Sequence, residues 1–304
     1  MRTSSVRSAA LVFAVALAAQ ETPLFRSDAE FVSVDVQVLS NNRPLTGLRL
    51  ENFIVEDNGV KQPVRSISTE NQPLDIVLLV DTSASTEHIQ QMIKTYAAEA
   101  FTHLSADDRV GVVTFSTQPQ VLVPPTLDRR DAIAKLAGIA RPFGGTELNA
   151  TILNTAVVLA QLARPDVRRS IVVLTDNCAE RDVPDAEVRS ELLRENMVVN
   201  ALLFPAPCSG KDADVMPFAA ATGGDVLNVD EELPLADMFR RMRQRYVLLY
   251  ASPGGEPGTV RRIRVDVTPD LRAQLKTVTV RAREAYVVSA PLKTRNRVDP
   301  RIGQ

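Results

Sequence analysis

The 304 residues carry 35 Lys and Arg against 37 Asp and Glu, and 45% of them are apolar. That composition excludes an intrinsically disordered chain and fits one large globular domain or two smaller ones. A formal net charge of −2 gives no electrostatic footprint for nucleic acid.

Residues 1–18 read as a secretory signal peptide. Arg2 and Arg7 precede an apolar stretch from Ala9 to Ala19, with small residues at Ala16 and Ala18. The stretch is shorter than the roughly 20 residues needed to span a bilayer, so cleavage near Ala19 is expected, with no membrane span in the mature form. The leader removes two of the 35 basic residues and none of the 37 acidic ones, which leaves a net charge of −4. A secreted or periplasmic location is expected.

Residues 28–72 read as β structure. Val32, Val34, Val36 and Val38 alternate with Ser33, Asp35 and Gln37, the period of a half-buried antiparallel strand. Asn58-Gly59 predicts a hairpin turn between Phe53–Glu56 and Val64–Ile67. Residues 73–245 read as α/β, with apolar runs alternating with helical patterns, the signature of a parallel sheet. Strands are predicted at Asp75 to Val80, Arg109 to Ser116, Ser170 to Thr175, Met197 to Leu203 and Asp225 to Val229, with Val121–Val123 as a short edge strand. Helices are predicted at Thr86 to Leu104, Arg129 to Ala140, Glu147 to Ala163, Asp185 to Asn196, Ala213 to Thr222 and Leu235 to Gln244.

In residues 246–288 the strand alternation returns at Tyr246–Tyr250, Arg262–Val267 and Val278–Arg281, and residues 289–304 read as a flexible, solvated tail. Neither β flank alone holds enough strands for a sheet with a covered face. The expected fold is therefore a doubly wound, mostly parallel α/β sheet inserted in a small β-sandwich formed by N- and C-terminal strands. Two separate β appendages are the alternative.

Five oxygen-bearing side chains stand at turns of the α/β unit. Asp81, Ser83 and Ser85 follow the run Ile76–Val80, Thr146 follows Gly144-Gly145, and Asp176 ends the region of Ile171–Leu174. In an open parallel sheet such turns share the edge outside the carboxyl ends of the strands, so the five can converge. Hydroxyl and carboxylate oxygens without nitrogen or sulfur suit a hard divalent cation, Mg²⁺ first, with Mn²⁺ or Ca²⁺ possible. Alone, Asp81–Ser85 is equally a helix N-cap.

Together, the Leu74–Ser85 block, Arg141-Pro142-Phe143-Gly144-Gly145-Thr146 and Thr175-Asp176 resemble the metal-ion-dependent adhesion site of von Willebrand factor type A domains. The β segments on either side look like the bacterial secreted branch of that family. The resemblance implies Ser83, Ser85 and Thr146 as direct ligands, Asp81 and Asp176 acting directly or through water, and a partner's Asp or Glu completing the shell. It departs from the family at Ala84 and Asn177, where Gly is frequent; Asn tolerates the left-handed backbone next best, so the turn after Asp176 is still expected to form.

Cys178 and Cys208 are the only cysteines. In an exported chain a disulfide between them is expected, with two free thiols as the alternative. Closing a loop of about thirty residues contributes roughly 3 to 4 kcal/mol in the chain-entropy view. The expected function is a metal-dependent protein-binding module and not an enzyme. A metal-dependent hydrolase is the alternative and would need a base such as His88 or His103 near the cation. A scaffold with an unused metal site is the third reading.

Overall fold

A computed structural model describes residues 30–69, 72–86, 97–139, 144–164, 167–204, 212–229, 234–275 and 277–289. The leader, the tail, Arg141–Phe143, His88 and Cys208 lie outside them. Strands run in chain order as β1 (Phe31–Ser40), β2 (Arg43–Pro44), β3 (Phe53–Asp57), β4 (Val60–Gln62), β5 (Val64–Ser68), β6 (Leu74–Asp81), β7 (Arg109–Phe115) and β8 (Pro119–Thr126). They continue with β9 (Arg168–Thr175), β10 (Met197–Leu203), β11 (Val226–Asn228), β12 (Tyr246–Ala251), β13 (Val260–Val267), β14 (Val278–Ala282) and β15 (Ala285–Val287).

The central sheet has six strands in the order β11-β10-β9-β6-β7-β8. β6 pairs in parallel with both β7 and β9, while β8 closes the edge antiparallel to β7. All eight residues of β6 are buried. Successive side chains on a strand face opposite ways. Ile76, Leu78 and Val80 accordingly enter one core with Leu136, Met238 and Phe239. Val77 and Leu79 enter a second, with Leu148, Ile152, Leu192 and Phe218. Each buried Val or Leu contributes about 1.5–3 kcal/mol, and helices on both faces of the sheet supply the cover.

The two remaining sheets each draw strands from both ends of the chain. One has five strands, with β14-β1-β12-β5 in order and β2 added to β1; the other has four, β15-β13-β3-β4. Val34, Val36, Leu248, Tyr250, Val55 and Ile263 meet in a third core.

Local outcomes differ from the sequence pattern for physical reasons. Asn58 and Gly59, at φ 49 and 78, do form a hairpin turn, but it joins β3 to β4. Pro63 lacks an N–H for the ladder, and after it β5 leaves to pair with β12 in the other sheet. β1 is not half-buried: Asp35 is 8% exposed and Gln37 0%, because the second face of the strand packs on the α/β unit. There Asp35 accepts hydrogen bonds from Arg168 and from Arg245, whose Nη2 also donates 2.7 Å to the Gly223 carbonyl. Burial works to raise the Asp35 pKa, but the charges and hydrogen bonds of the two guanidinium groups outweigh it and hold the carboxyl below its usual value.

The same junction leaves no space at Gly223. It has φ 77, and a Cβ there would lie 2.5 Å from the Ala282 carbonyl carbon. The expected edge strand Val121–Val123 extends to Pro119–Thr126. Of the expected helix Thr86 to Leu104, residues 97–100 are helical and Phe101–His103 tighten into a 3₁₀ turn. The helix expected from Ala213 begins at Met216, because Ala213 is tied to Ala179 and the Asp214 carboxylate accepts from the Met216 N–H at 2.9 Å. The other helices occupy Arg129–Ala137, Leu148–Gln161, Asp185–Arg194 and Pro234–Arg243. The sequence pattern missed a short helix, Pro269–Gln274. Among the described residues no helix is long and apolar enough to cross a membrane.

Candidate metal centre

The carboxyl ends of β6 and β9 deliver Asp81 and Asp176 side by side, and backbone bonds bind the neighbouring loops to them. The Ala84 N–H donates to the Gly144 carbonyl at 3.3 Å, which sets the Asp81–Ser85 loop against the Gly144–Thr146 loop. Glu147 N–H donates to the Ser116 carbonyl at 2.8 Å, and Glu147 bridges to Glu180 in parallel, so Thr146 is fixed between the end of β7 and the turn after Asp176. Three segments far apart in sequence are thereby laced at one edge of the sheet.

Within the first loop, Ser83 N–H donates to Asp81 Oδ1 at 2.9 Å, and the Ser83 and Ser85 hydroxyl oxygens stand 3.4 Å apart. Thr86 Oγ1 lies 2.8 Å from the Ser83 carbonyl and 3.0 Å from that of Asp81, closing the turn from below. Burial grades through the set: Asp81 is 0% exposed, Ser83 2%, Thr146 7% and Asp176 8%, whereas Ser85 is open to solvent. The arrangement is a polar cup with a closed floor and an open lip.

The floor is electrostatically incomplete. Burial pushes the Asp81 carboxyl up to about 6, against the hydrogen bonds of Thr175 and Ser83, and the neighbouring Asp176 carboxylate pushes it further. Asp176 Oδ1 accepts from the Cys178 N–H at 3.0 Å, but its Oδ2 is buried with no hydrogen-bond partner. Two buried carboxylates with an unmatched oxygen form a site that a cation would stabilise.

Residues 76–179 match the sequence profile of the von Willebrand factor type A domain. The chain carries a von Willebrand factor type A domain. Over 137 residues it is 26% identical to von Willebrand factor A domain-containing protein 2 of Xenopus laevis, a match covering 42% of this chain and 17% of that protein's length. Among solved structures, a von Willebrand factor type A protein from Catenulispora acidiphila aligns with a TM-score of 0.48 at 14% identity, over 87% of this chain and 76% of that one. BatB from Bacteroides thetaiotaomicron aligns with a TM-score of 0.45 at 18% identity, over 56% of this chain and 96% of that one. An aerotolerance-related membrane protein from Bacteroides fragilis gives 0.46 at 20%, over 56% and 98%.

In this von Willebrand factor type A domain the five candidate residues offer three hydroxyls and two carboxylates, a set that would suit a hard divalent cation and no soft one. Among the described residues no group of three or more His, Cys, Asp or Glu side chains that could hold a metal ion is found, and the candidate set itself has only two carboxylates beside its hydroxyls. The side-chain roles of two neighbours escaped the sequence reading. Thr175 donates to Asp81 Oδ2 at 2.6 Å while its oxygen accepts from the Asn177 N–H at 2.9 Å, so one hydroxyl orients the acid and the turn together. Asn177, at φ 60, does adopt the left-handed backbone. Its amide also reaches across, donating to Asp214 Oδ1 at 2.9 Å and accepting from the Val215 N–H at 3.1 Å. The Thr-Asp-Asn order was legible, but nothing in it marks what those side chains touch.

Proposed function

We propose that this protein is an exported interaction module in which Asp81, Ser83, Ser85, Thr146 and Asp176 hold one divalent cation and a partner protein supplies the carboxylate that completes its shell. Mg²⁺ is the ion of first choice, with Mn²⁺ or Ca²⁺ accepted by the same oxygens. The observation that carries the reading is the unpartnered, buried Oδ2 of Asp176 beside the raised Asp81 carboxyl. Bound there, the ion supplies positive charge at the open lip where Ser85 meets solvent. Asp81 and Asp176 balance part of that charge, and Thr175 keeps Asp81 oriented. Such domains are typically interaction modules, which favours this reading over a hydrolase or an idle scaffold. His103, one of the two possible bases, is exposed in its 3₁₀ turn, and His88 lies outside the described residues.

The proposed organisation is a cleaved leader at 1–18, a doubly wound α/β domain at 73–245 inserted in a β-sandwich made of 28–72 and 246–288, and a flexible tail at 289–304. The paired strands β1 with β12 and β3 with β13 support it. A Cys178–Cys208 disulfide is part of the proposal. The Asp212 and Ala213 N–H groups both donate to the Ala179 carbonyl at 3.1 Å, which brings the chain just after Cys208 beside Cys178.

Calorimetric titration with Mg²⁺ on the wild type, Asp81→Ala and Ser83→Ala tests the ion, and pull-down from the envelope fraction with and without chelator tests the bridge. Saturable binding lost in both variants is expected, with parallel loss of the captured partner. A partner retained unchanged under chelation and by both variants would falsify the bridge. Intact mass before and after alkylation reads the leader and the disulfide together.

A further inference from the structure

A second polar cavity, of about 560 Å³, opens between the β1–β2 turn and the helix Pro234–Arg243. It shares no residue with the metal centre. Among the described residues, three guanidinium groups line it, from Arg43, Arg240 and Arg241, against the one carboxylate of Asp237. That carboxylate is divided between two of them: Oδ2 accepts from Arg241 Nε at 2.6 Å, and Oδ1 accepts from Arg240. Three positive groups against one negative leave a local charge near +2, concentrated in a recess.

Two further features suit the recess to a ligand. Arg241 is 5% exposed; its Nη2 donates to the Asn42 carbonyl at 3.0 Å, yet its Nη1 is buried with no partner. An unmatched buried donor on a charged group is left with its desolvation uncompensated, and a bound anion would offset part of that. The rim is the two-residue turn Asn41-Asn42, fixed by the Ser40↔Arg43 pairing, with both residues left-handed at φ 51 and 60. Gly would relieve that backbone but bring no side chain. Asn brings amides instead, and Asn41 Oδ1 is already taken by the Thr277 hydroxyl at 2.6 Å, which leaves its Nδ2 hydrogens free to donate elsewhere.

We propose that this recess binds a doubly charged tetrahedral oxyanion, a phosphate- or sulfate-type group, held by Arg43 and Arg240 at the mouth above the Arg241 charge. Two guanidinium forks suit the several acceptor oxygens of such a group, and its two negative charges match the local excess. Among the described residues Pro44 supplies the only apolar side chain lining the recess, so the recognised part is the oxyanion and not an attached ring or chain. The group arrives either as a free inorganic ion or as a phosphate monoester on a larger molecule.

The full chain, kept in chelator, is titrated with inorganic phosphate, sulfate and glycerol phosphate, followed by calorimetry and by the NMR signals of the Asn41 and Asn42 side-chain amides. Saturable binding that weakens with added chloride is expected. Arg43→Gln and Arg240→Gln should each weaken it by about tenfold, the effect of removing one charge-assisted contact, and the double variant should abolish it. Both arginines are exposed, so the unfolding midpoint of each variant should stay at the wild-type value. Ser83→Ala, which disables the metal centre, should bind the oxyanion as the wild type does, so the two sites succeed or fail separately. Tighter binding of glycerol phosphate than of phosphate identifies an ester as the source, and the reverse a free ion. Absence of saturable binding of all three, or unchanged affinity in the double variant, overturns the proposal.

Discussion

Replacing Asp35 by Asn tests how the flanking sheets are fastened to the α/β unit. The side chain is 10% exposed, and its two partners, Arg168 and Arg245, are 9% and 1% exposed. The amide keeps the shape but removes the charge, and it turns one N–H end toward a guanidinium. Two buried cations are left uncompensated, a change that costs about 3–5 kcal/mol when one member of a buried pair is deleted. The pH dependence carries a sign. Because the folded-state pKa of Asp35 is depressed below 3.8, its contribution is fully present above the unfolded-state value and is lost as pH falls through the folded one. Urea unfolding of both proteins at neutral pH and at steps below about pH 4, near the unfolded value, should therefore show a gap that narrows with acid. A neutral-pH gap under about 1 kcal/mol, the range of a surface pair, would refute the clasp. So would a gap that stays constant into acid.

Thr175→Val removes the hydroxyl that orients Asp81 and should weaken divalent-ion affinity by about tenfold or more while the fold is kept, as outer hydrogen-bond partners of metal ligands do; unchanged calorimetric affinity counts against the role. Asn177→Gly relaxes the φ 60 backbone but loses the bonds to Asp214 and Val215, and a net loss of about 1 kcal/mol should appear as faster amide exchange at Val215. Gly223→Ala drives a Cβ into the Ala282 backbone at a left-handed position and should cost about 2 kcal/mol or more by denaturant unfolding, whereas a near-neutral result would mean the junction is looser than the structure has it.

The α/β strands were legible because each is a run of apolar residues buried on both faces, as at Ile76–Val80 and Ile171–Leu174, and burial on both faces leaves a continuous signature. Asp81, Ser83, Ser85 and Asp176 could be assigned to one sheet edge because they follow apolar runs that end there, and Thr146 because it follows Gly144-Gly145 at the start of a helix, while their joint role remains the proposal. Less visible were positions whose meaning depends on what packs against them. Asp35 reads as an outward residue in an alternating strand, and only the approach of Arg168, more than a hundred residues later, makes it internal. β5 reads as the hairpin partner of β3, yet one proline transfers it to another sheet. Thr175 reads as the last residue of a strand until Asp81 is set beside it.

The strand pairings of the flanking sheets set an order of assembly. Apart from the two-residue β2 at its end, β1 pairs with β12 and β14, so Val36 waits for Tyr246 and Ala282. On a growing chain, β1 is translated long before the two strands that cover most of its length, and the whole α/β unit must emerge in between. Loop closure over such a span is slow, and an uncovered strand edge in the interval is exposed to pairing with other chains. The two β sheets are thus the last part to complete, and a chain halted before β12 presents its valine-rich first strand with neither partner.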